Sequence, residues 1–132
     1  MKLSLTQCAY LAGLLDGEGC IFIANHITPA LNISNTNKSV LIWIKHIVGK
    51  GGVYKVPRTN HKHKLCWVYC IRSRAAIALL RKLYPFLLIK VIQATTLLQY
   101  PIAKVGIHTT KSEKILRTKY EAKLKKLNRR GK

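Results

Sequence analysis

The chain has 132 residues, of which 48% are apolar, and it carries 24 Lys or Arg against 4 Asp or Glu, for a net charge of +20. So much periodic apolar sequence excludes a disordered basic tail and predicts one domain over residues 1–132. A charge this high predicts a polyanionic partner, nucleic acid or an anionic membrane surface, and exceeds what a small-molecule substrate would require.

Two further features bear on the cellular setting. No apolar run reaches the roughly 18 residues of a membrane span, and the N-terminus lacks a signal-peptide cleavage site, which predicts a soluble protein. We also expect no membrane partner, because the basic residues are spread over sheet loops and tail and are not concentrated on one amphipathic helix. The four cysteines lie in apolar periodic segments, which is typical of a reducing compartment and predicts an intracellular location, a bacterial cytoplasm or an organelle. A zinc site is disfavoured because the spacing of the nearest ligands fits no finger pattern: His61, His63, Cys66 and Cys70.

The first half of the chain predicts a helix, two strands and a second helix. Thr6 caps a helix from about residue 7 to 16, which the glycines at 17 and 19 end. Strands over 20–28 and 30–35 follow, split near Pro29, and Asn37 caps a second apolar-striped helix.

The same order then repeats. Strands over 53–56 and 65–72 flank an exposed basic turn at 57–64, and helices follow over 75–84 and 91–100 with a break at Pro85. From about residue 111 the spacing of apolar residues predicts a basic amphipathic helix.

The acids are few and clustered. Asp16 and Glu18 are two of four in the chain, and both lie at the end of the first predicted helix. Carboxylates at this negative end of the helix dipole cost from a few tenths to about 1 kcal/mol each unless a cation offsets them. Mg²⁺ would do so, since it prefers hard oxygen ligands and the flanking glycines allow carbonyl groups to approach. The alternative is an ordinary helix end in contact with lysines.

The first helix also carries a recognisable motif. Ala9, Gly13 and Gly17 recur every four residues and leave a stripe with almost no side chains, which lets two helices approach closely. Residues 11–19 read LAGLLDGEG, which closely resembles the signature of the LAGLIDADG homing endonucleases and departs from it by Leu for Ile, Gly for Ala and Glu for Asp. The segment ISNT at 33–36 resembles a further family motif, and so does PFLLIK at 85–90 together with Gln93 and Ala94.

The resemblance implies an α+β fold, the αββαββα saddle with an antiparallel sheet and helices on one face. In that family the sheet lies in the major groove of double-stranded DNA. One motif per chain implies a homodimer, with its interface at Ala9, Ala12, Gly13 and Gly17.

It also implies an activity: a site-specific double-strand break, by Mg²⁺-dependent phosphodiester hydrolysis, at a long pseudo-palindromic site. By resemblance, Glu18 binds the metal with help from the Gly17 carbonyl, and Asn35 orders the attacking water. Lys90 stabilises charge on the phosphate, and Asp16, which mainly completes the helix, is kept as a further site residue. A chain of this length favours an intron-encoded origin.

Strand alternation predicts which residues read the DNA. Ile21, Ile23, Leu31 and Ile33 share the core face, so the opposite face should contact base edges through Phe22, Ala24, His26, Thr28, Asn32 and Ser34. In the second strand pair the resemblance places Lys55, Trp67 and Tyr69 outward and Cys66, Val68 and Cys70 inward, although Trp67 and Tyr69 are equally compatible with a core position. The flanking basic turn should grip the DNA backbone through Arg58, His61, Lys62, His63 and Lys64.

Two other functions remain open from sequence. A LAGLIDADG-type maturase would use the same fold to bind intron RNA, and a basic RNA-binding module would need no chemistry at all. The joint presence of Glu18, Asn35 and Lys90 favours the nuclease.

Overall fold

The computed structural model describes residues 1–57, 62, 64–101 and 110–130. Its elements, in chain order, are α1 (Leu5–Glu18), β1 (Gly19–Ala24), β2 (Thr28–Asn35), α2 (Lys38–Val48), β3 (Gly52–Lys55), β4 (Trp67–Arg72), α3 (Ser73–Leu83), α4 (Val91–Leu98) and α5 (Lys111–Arg130). A short 3₁₀ turn, Tyr84–Phe86, follows α3 at Pro85, the residue predicted to interrupt the helical segment.

The four strands form one antiparallel sheet in the order β1-β2-β4-β3. Helices pack on one of its faces and share a core with the inward side chains of the strands, among them Leu11, Ile21, Leu31 and Leu80. The predicted α+β architecture with helices on one face is therefore confirmed.

Two helix starts show how local chemistry sets the boundaries. α1 begins earlier than expected because Ser4, rather than Thr6, is its N-cap. The Ser4 hydroxyl accepts a hydrogen bond from the Gln7 N–H, and the Gln7 side-chain oxygen accepts one from the Ser4 N–H. This capping box satisfies two otherwise unpaired donors. The cap of α2 is Asn37 as predicted, and Gly49 ends that helix in the left-handed region, at φ 77°.

The turn between β1 and β2 lies earlier than Pro29. Asn25 and His26 have φ values of 51° and 63°, and the Ile27 N–H donates to the Ala24 carbonyl, which makes a tight hairpin turn of the primed type. Pro29 lies inside β2, opposite Ile23. His26 is therefore a turn residue and not part of a strand.

The parity assigned to the second strand pair is wrong. The register places Tyr69 opposite Ile33 and Val53, on the helix-covered face, and Tyr69 is only 1% exposed. Its hydroxyl donates to the Lys50 carbonyl at 2.6 Å, and burial, reinforced by the neighbouring Cys70, raises the pKa of that hydroxyl. Trp67 shares this face with Lys55, whereas Val68 and Cys70 lie on the other.

The C-terminal helix α5 covers the outer edge of the sheet. The Asn128 side-chain amide donates to the Ile21 carbonyl of the edge strand at 3.0 Å, and Leu124 is buried. Covering an edge strand removes a row of groups that could otherwise pair with another chain. Across the described segments, no helix has the length and apolarity needed to cross a membrane.

Candidate active site and nucleic-acid interface

Asp16 has a structural partner for each of its carboxylate oxygens. The residue is 8% exposed, and its two carboxylate oxygens accept from the backbone N–H groups of Leu88 and Lys90 at 2.8 and 2.9 Å. The segment that follows the 3₁₀ turn is thereby tied to the end of α1. Because both oxygens are engaged, we assign Asp16 to positioning rather than to the catalytic role predicted for it.

Lys90 is fixed at this helix end as well. Its Nζ donates to the Asp16 backbone carbonyl at 2.6 Å, one of the last carbonyls of α1 and so one without a helical partner. A cation here is also favoured by the helix dipole. An ammonium has three donors, so Lys90 can hold this carbonyl and still contact a phosphate.

Glu18 lies at the last position of α1 and is exposed. It opens onto a depression of about 700 Å³, and Lys90 and Gln93 line the same depression with residues of α1, β1 and α5. The carboxylate and the ammonium that the sequence places far apart are thus neighbours around one open space. Gln93 contributes an amide that sequence reasoning did not assign a role, although it lies in the segment that resembles a family motif.

The oxygen atoms at the end of α1 are the candidate ligands of a divalent metal. The part of the chain that the structure describes holds no group of three or more His, Cys, Asp or Glu side chains able to bind a metal. Glu18 is the available carboxylate, and the Gly17 carbonyl belongs to the last helical turn. These few hard oxygens fit Mg²⁺, which keeps several waters and completes its shell with substrate phosphates.

Asn35 does not line the depression within this chain. Its side-chain oxygen accepts from the Asn37 N–H at 2.8 Å and so helps to begin α2. The structure therefore gives its predicted water-ordering role no support, and that role stays a prediction.

The open face of the sheet forms a second concave surface, of about 520 Å³. Phe22 and Asn32 lie on it as predicted. The remaining lining residues were not predicted to face outward, and they are Gly51, Gly52, Tyr54, Val68, Cys70 and Arg72. The β2–β4 register pairs Asn32 with Cys70, which places Cys70 and its alternate neighbours Val68 and Arg72 on the same open face as Asn32.

The other expected base-reading residues differ in accessibility. Thr28 and Ser34 share the open face and are partly buried, but Ala24 is 7% exposed and has little surface to offer. The His26 side chain is 82% exposed, yet its Nδ1 lies 2.8 Å from the Glu121 carboxylate on α5. The hairpin turn is thereby joined to the C-terminal helix.

The expected backbone-contacting turn is only partly described. Lys62 and Lys64 are exposed, whereas Arg58, His61 and His63 lie outside the described residues. Lys55 is exposed at the end of edge strand β3, on the parity of the helix face. Of the three residues expected outward in the second strand pair, none shares the open face.

The small-residue stripe of α1 is exposed. Ala9, Gly13 and Gly17 face solvent, and a Cβ added at Gly13 or Gly17 would meet nothing within 4 Å. Ala12 differs, since it is fully buried in the core of its own chain and cannot belong to a surface stripe. Large apolar side chains flank the stripe, with Tyr10 packed edge-on against Trp43 at 5.6 Å.

Solved structures share this architecture. Homing endonuclease I-CvuI in complex with the I-CreI target, in 2 mM Mg, matches with a TM-score of 0.72 and 24% identity, over 92% of this chain and 82% of that one. Homing endonuclease I-TnaI matches with a TM-score of 0.60 and 20% identity over the whole of both chains. The archaeal intron-encoded homing endonuclease I-Vdi141I, complexed with DNA, matches with a TM-score of 0.54 and 16% identity, over 89% of this chain and 98% of that one.

Neither a scan against protein-family models nor a search of curated proteins finds a match. The identification therefore depends on the tertiary structure together with the sequence motif. This chain has the fold of the LAGLIDADG homing endonucleases.

Proposed function

We propose that this protein is a homodimeric, site-specific DNA endonuclease that makes a double-strand break by Mg²⁺-dependent phosphodiester hydrolysis, and that it is intron-encoded. The observation that carries the proposal is the exposed Glu18 carboxylate beside Lys90, at the end of a helix whose exposed stripe lacks large side chains. The similar structures solved in complex with DNA support the same substrate class.

The residues of the depression divide the work. Glu18 would hold the metal, which when bound supplies a Lewis acid and an acidified water. Lys90 places a positive charge where the phosphate gains negative charge in the transition state. The Asp16 carboxylate accepts from the Lys90 backbone N–H and so keeps Lys90 in position. The Lys90 ammonium therefore does not have to be ordered when DNA binds.

Exposed glycines support the homodimer. A glycine within a helix costs about 0.5–1 kcal/mol relative to alanine, and within the described residues a Cβ added at Gly13 or Gly17 would meet no atom within 4 Å. Large exposed apolar residues lie around the same helix: Leu5 at 76%, Tyr10 at 52%, Leu88 at 88% and Ile89 at 71%. Such a surface marks an interaction site, and close packing of two copies of α1 would account for both features.

The proposal is tested by Glu18→Gln, which preserves size and removes the charge. The substrate is a duplex library carrying randomised inserts, or the joined flanking sequence if the gene lies in an intron. We expect wild type to cut in Mg²⁺ and not in EDTA, and Glu18→Gln to lose orders of magnitude in cleavage rate while still binding DNA. Glu113→Gln, which removes an exposed carboxylate at the start of α5, is the matched control and should cut normally.

A Glu18→Gln protein that cuts as fast as wild type would refute the assignment of Glu18. A wild type that binds intron RNA tightly and cuts no duplex would refute the nuclease and favour a maturase.

A further inference from the structure

We infer that Arg129, in the last turn of the C-terminal helix, contacts the phosphate that is cleaved beside Glu18, so that α5 forms part of the active site. The inference rests on the proposed function and extends it to a residue outside the motif-bearing segment. Its basis is spatial: Asn128 and Arg129 line the same depression as Glu18 and Lys90, although they lie at the opposite end of the chain.

The end of α5 is held in place at this site. Asn128 donates to the Ile21 carbonyl on β1, the strand that begins directly after Glu18. One turn earlier, Leu124 is buried to 1% exposure, and two turns earlier Glu121 bonds both His26 and Lys125. Side chains on a helix fixed by several contacts are better oriented for binding than those on a free tail.

The charges of the depression favour a guanidinium in this role. Asp16 has both oxygens engaged by backbone amides, and Lys90 uses one of its three donors on a carbonyl. Arg129 is an exposed cation that lines the same depression. A guanidinium can donate two parallel hydrogen bonds to one phosphate. A cation at the C-terminal end of a helix is also favoured by the helix dipole.

General attraction between a basic helix and DNA is the competing explanation. Lys126 allows the two to be separated, because it is an exposed cation on the same helix and does not line the depression. If Arg129 acts only through net charge, its removal and the removal of Lys126 should have equal effects.

The experiment compares Arg129→Ala, Arg129→Lys and Lys126→Ala with wild type, each checked for unchanged thermal unfolding. Single-turnover cleavage is measured at saturating protein in Mg²⁺, and DNA affinity is measured in EDTA. We expect Arg129→Ala to lower the cleavage rate about 100-fold, with Arg129→Lys recovering part of the loss. Lys126→Ala should weaken binding somewhat and leave the saturated rate unchanged.

A second readout does not depend on cleavage. DNA affinity is measured in EDTA with a neutral methylphosphonate at the scissile position. This substitution should lower the affinity of wild type and of Lys126→Ala. It should lower the affinity of Arg129→Ala much less, because that variant has already lost the contact. Equal cleavage rates for Arg129→Ala and Lys126→Ala, or equal losses from the methylphosphonate in all proteins, would overturn the inference and leave the nuclease proposal standing. A wild type that cuts no duplex would contradict the proposed function, and the inference with it.

Discussion

Asp16 and Lys90 hold each other through two separate hydrogen bonds. The Lys90 backbone N–H donates to the Asp16 carboxylate at 2.9 Å, while the Lys90 Nζ donates to the Asp16 backbone carbonyl at 2.6 Å. Asp16 therefore fixes the backbone of Lys90, and the Lys90 ammonium in turn satisfies a carbonyl at the end of α1. The position of Lys90 at the depression is built from the same motif that supplies Glu18.

Asp16→Asn should destabilise the protein and slow cleavage. An amide offers one oxygen for two backbone donors and turns its NH₂ group toward the other, and hydrogen bonds to charged groups contribute about 1.5–3 kcal/mol. We expect a loss of about 2 kcal/mol in the free energy of unfolding, measured by urea denaturation. Glu18→Gln should leave stability nearly unchanged because its carboxylate is exposed. Equal stability of Asp16→Asn and wild type would contradict the positioning role.

Gly13→Leu should break the homodimer without damaging the subunit. Space around Gly13 is open within the chain, and replacing a helical glycine removes a penalty of about 1 kcal/mol. Sedimentation should therefore show a folded monomer that no longer cuts both strands. Ala78→Leu adds similar bulk to an exposed position of α3 and should remain dimeric. Dimeric, fully active Gly13→Leu would refute the interface.

Tyr69→Phe should affect folding and not DNA recognition. Its hydroxyl donates to the Lys50 carbonyl inside the helix-covered face, and such a bond contributes about 1 kcal/mol to stability. We expect that loss in urea denaturation, with DNA affinity and cleavage unchanged. A selective loss of DNA affinity in a protein of normal stability would return Tyr69 to the DNA-binding surface.

Asn32→Ala and Lys64→Ala should separate base reading from phosphate binding. Asn32 lines the concave open face, where an amide can bond adenine and discriminate by about 1–3 kcal/mol. Its removal should change which base pairs are preferred at one position of each half-site. Lys64→Ala should weaken binding to all sequences alike and reduce the slope of log affinity against log salt by about 1. Uniform loss for Asn32→Ala would contradict its assignment.

The contact between Glu121 and the hairpin should make stability depend on acid pH. Burial raises the pKa of Glu121, but hydrogen bonds from Lys125 and His26 and the charges of both outweigh burial, so the pKa lies below its ordinary value of about 4.5. The folded state therefore binds this proton less readily than the unfolded state. The stabilisation is present above the unfolded pKa and is lost as pH falls through the folded one.

Glu121→Gln should flatten the dependence of the unfolding free energy on pH below about 4.5, because its side chain cannot titrate. The comparison is made by urea denaturation across that range. An unchanged pH profile in Glu121→Gln would show that another group is responsible.

Local sequence patterns are enough to predict the order of elements and the chemistry of the first helix. The small-residue stripe, the acids at 16 and 18 and the alternation of Ile21, Ile23, Leu31 and Ile33 are local patterns, and local patterns report helix faces and strand faces directly. For the same reason the cap at Asn37 and the break at Pro85 could be located within a residue or two.

Features that depend on pairing between distant segments are visible only in the folded chain. The parity of β4 follows from its register with β2, and a shift of one residue exchanges its two faces, which is why Tyr69 was assigned to the wrong one. The sequence near Asp16 does not predict that the backbone amides of residues 88 and 90 are its hydrogen-bond partners. The position of α5 beside Glu18 likewise depends on long-range contacts. The Asn128 hydrogen bond to Ile21 and the burial of Leu124 exist only once the sheet edge has formed.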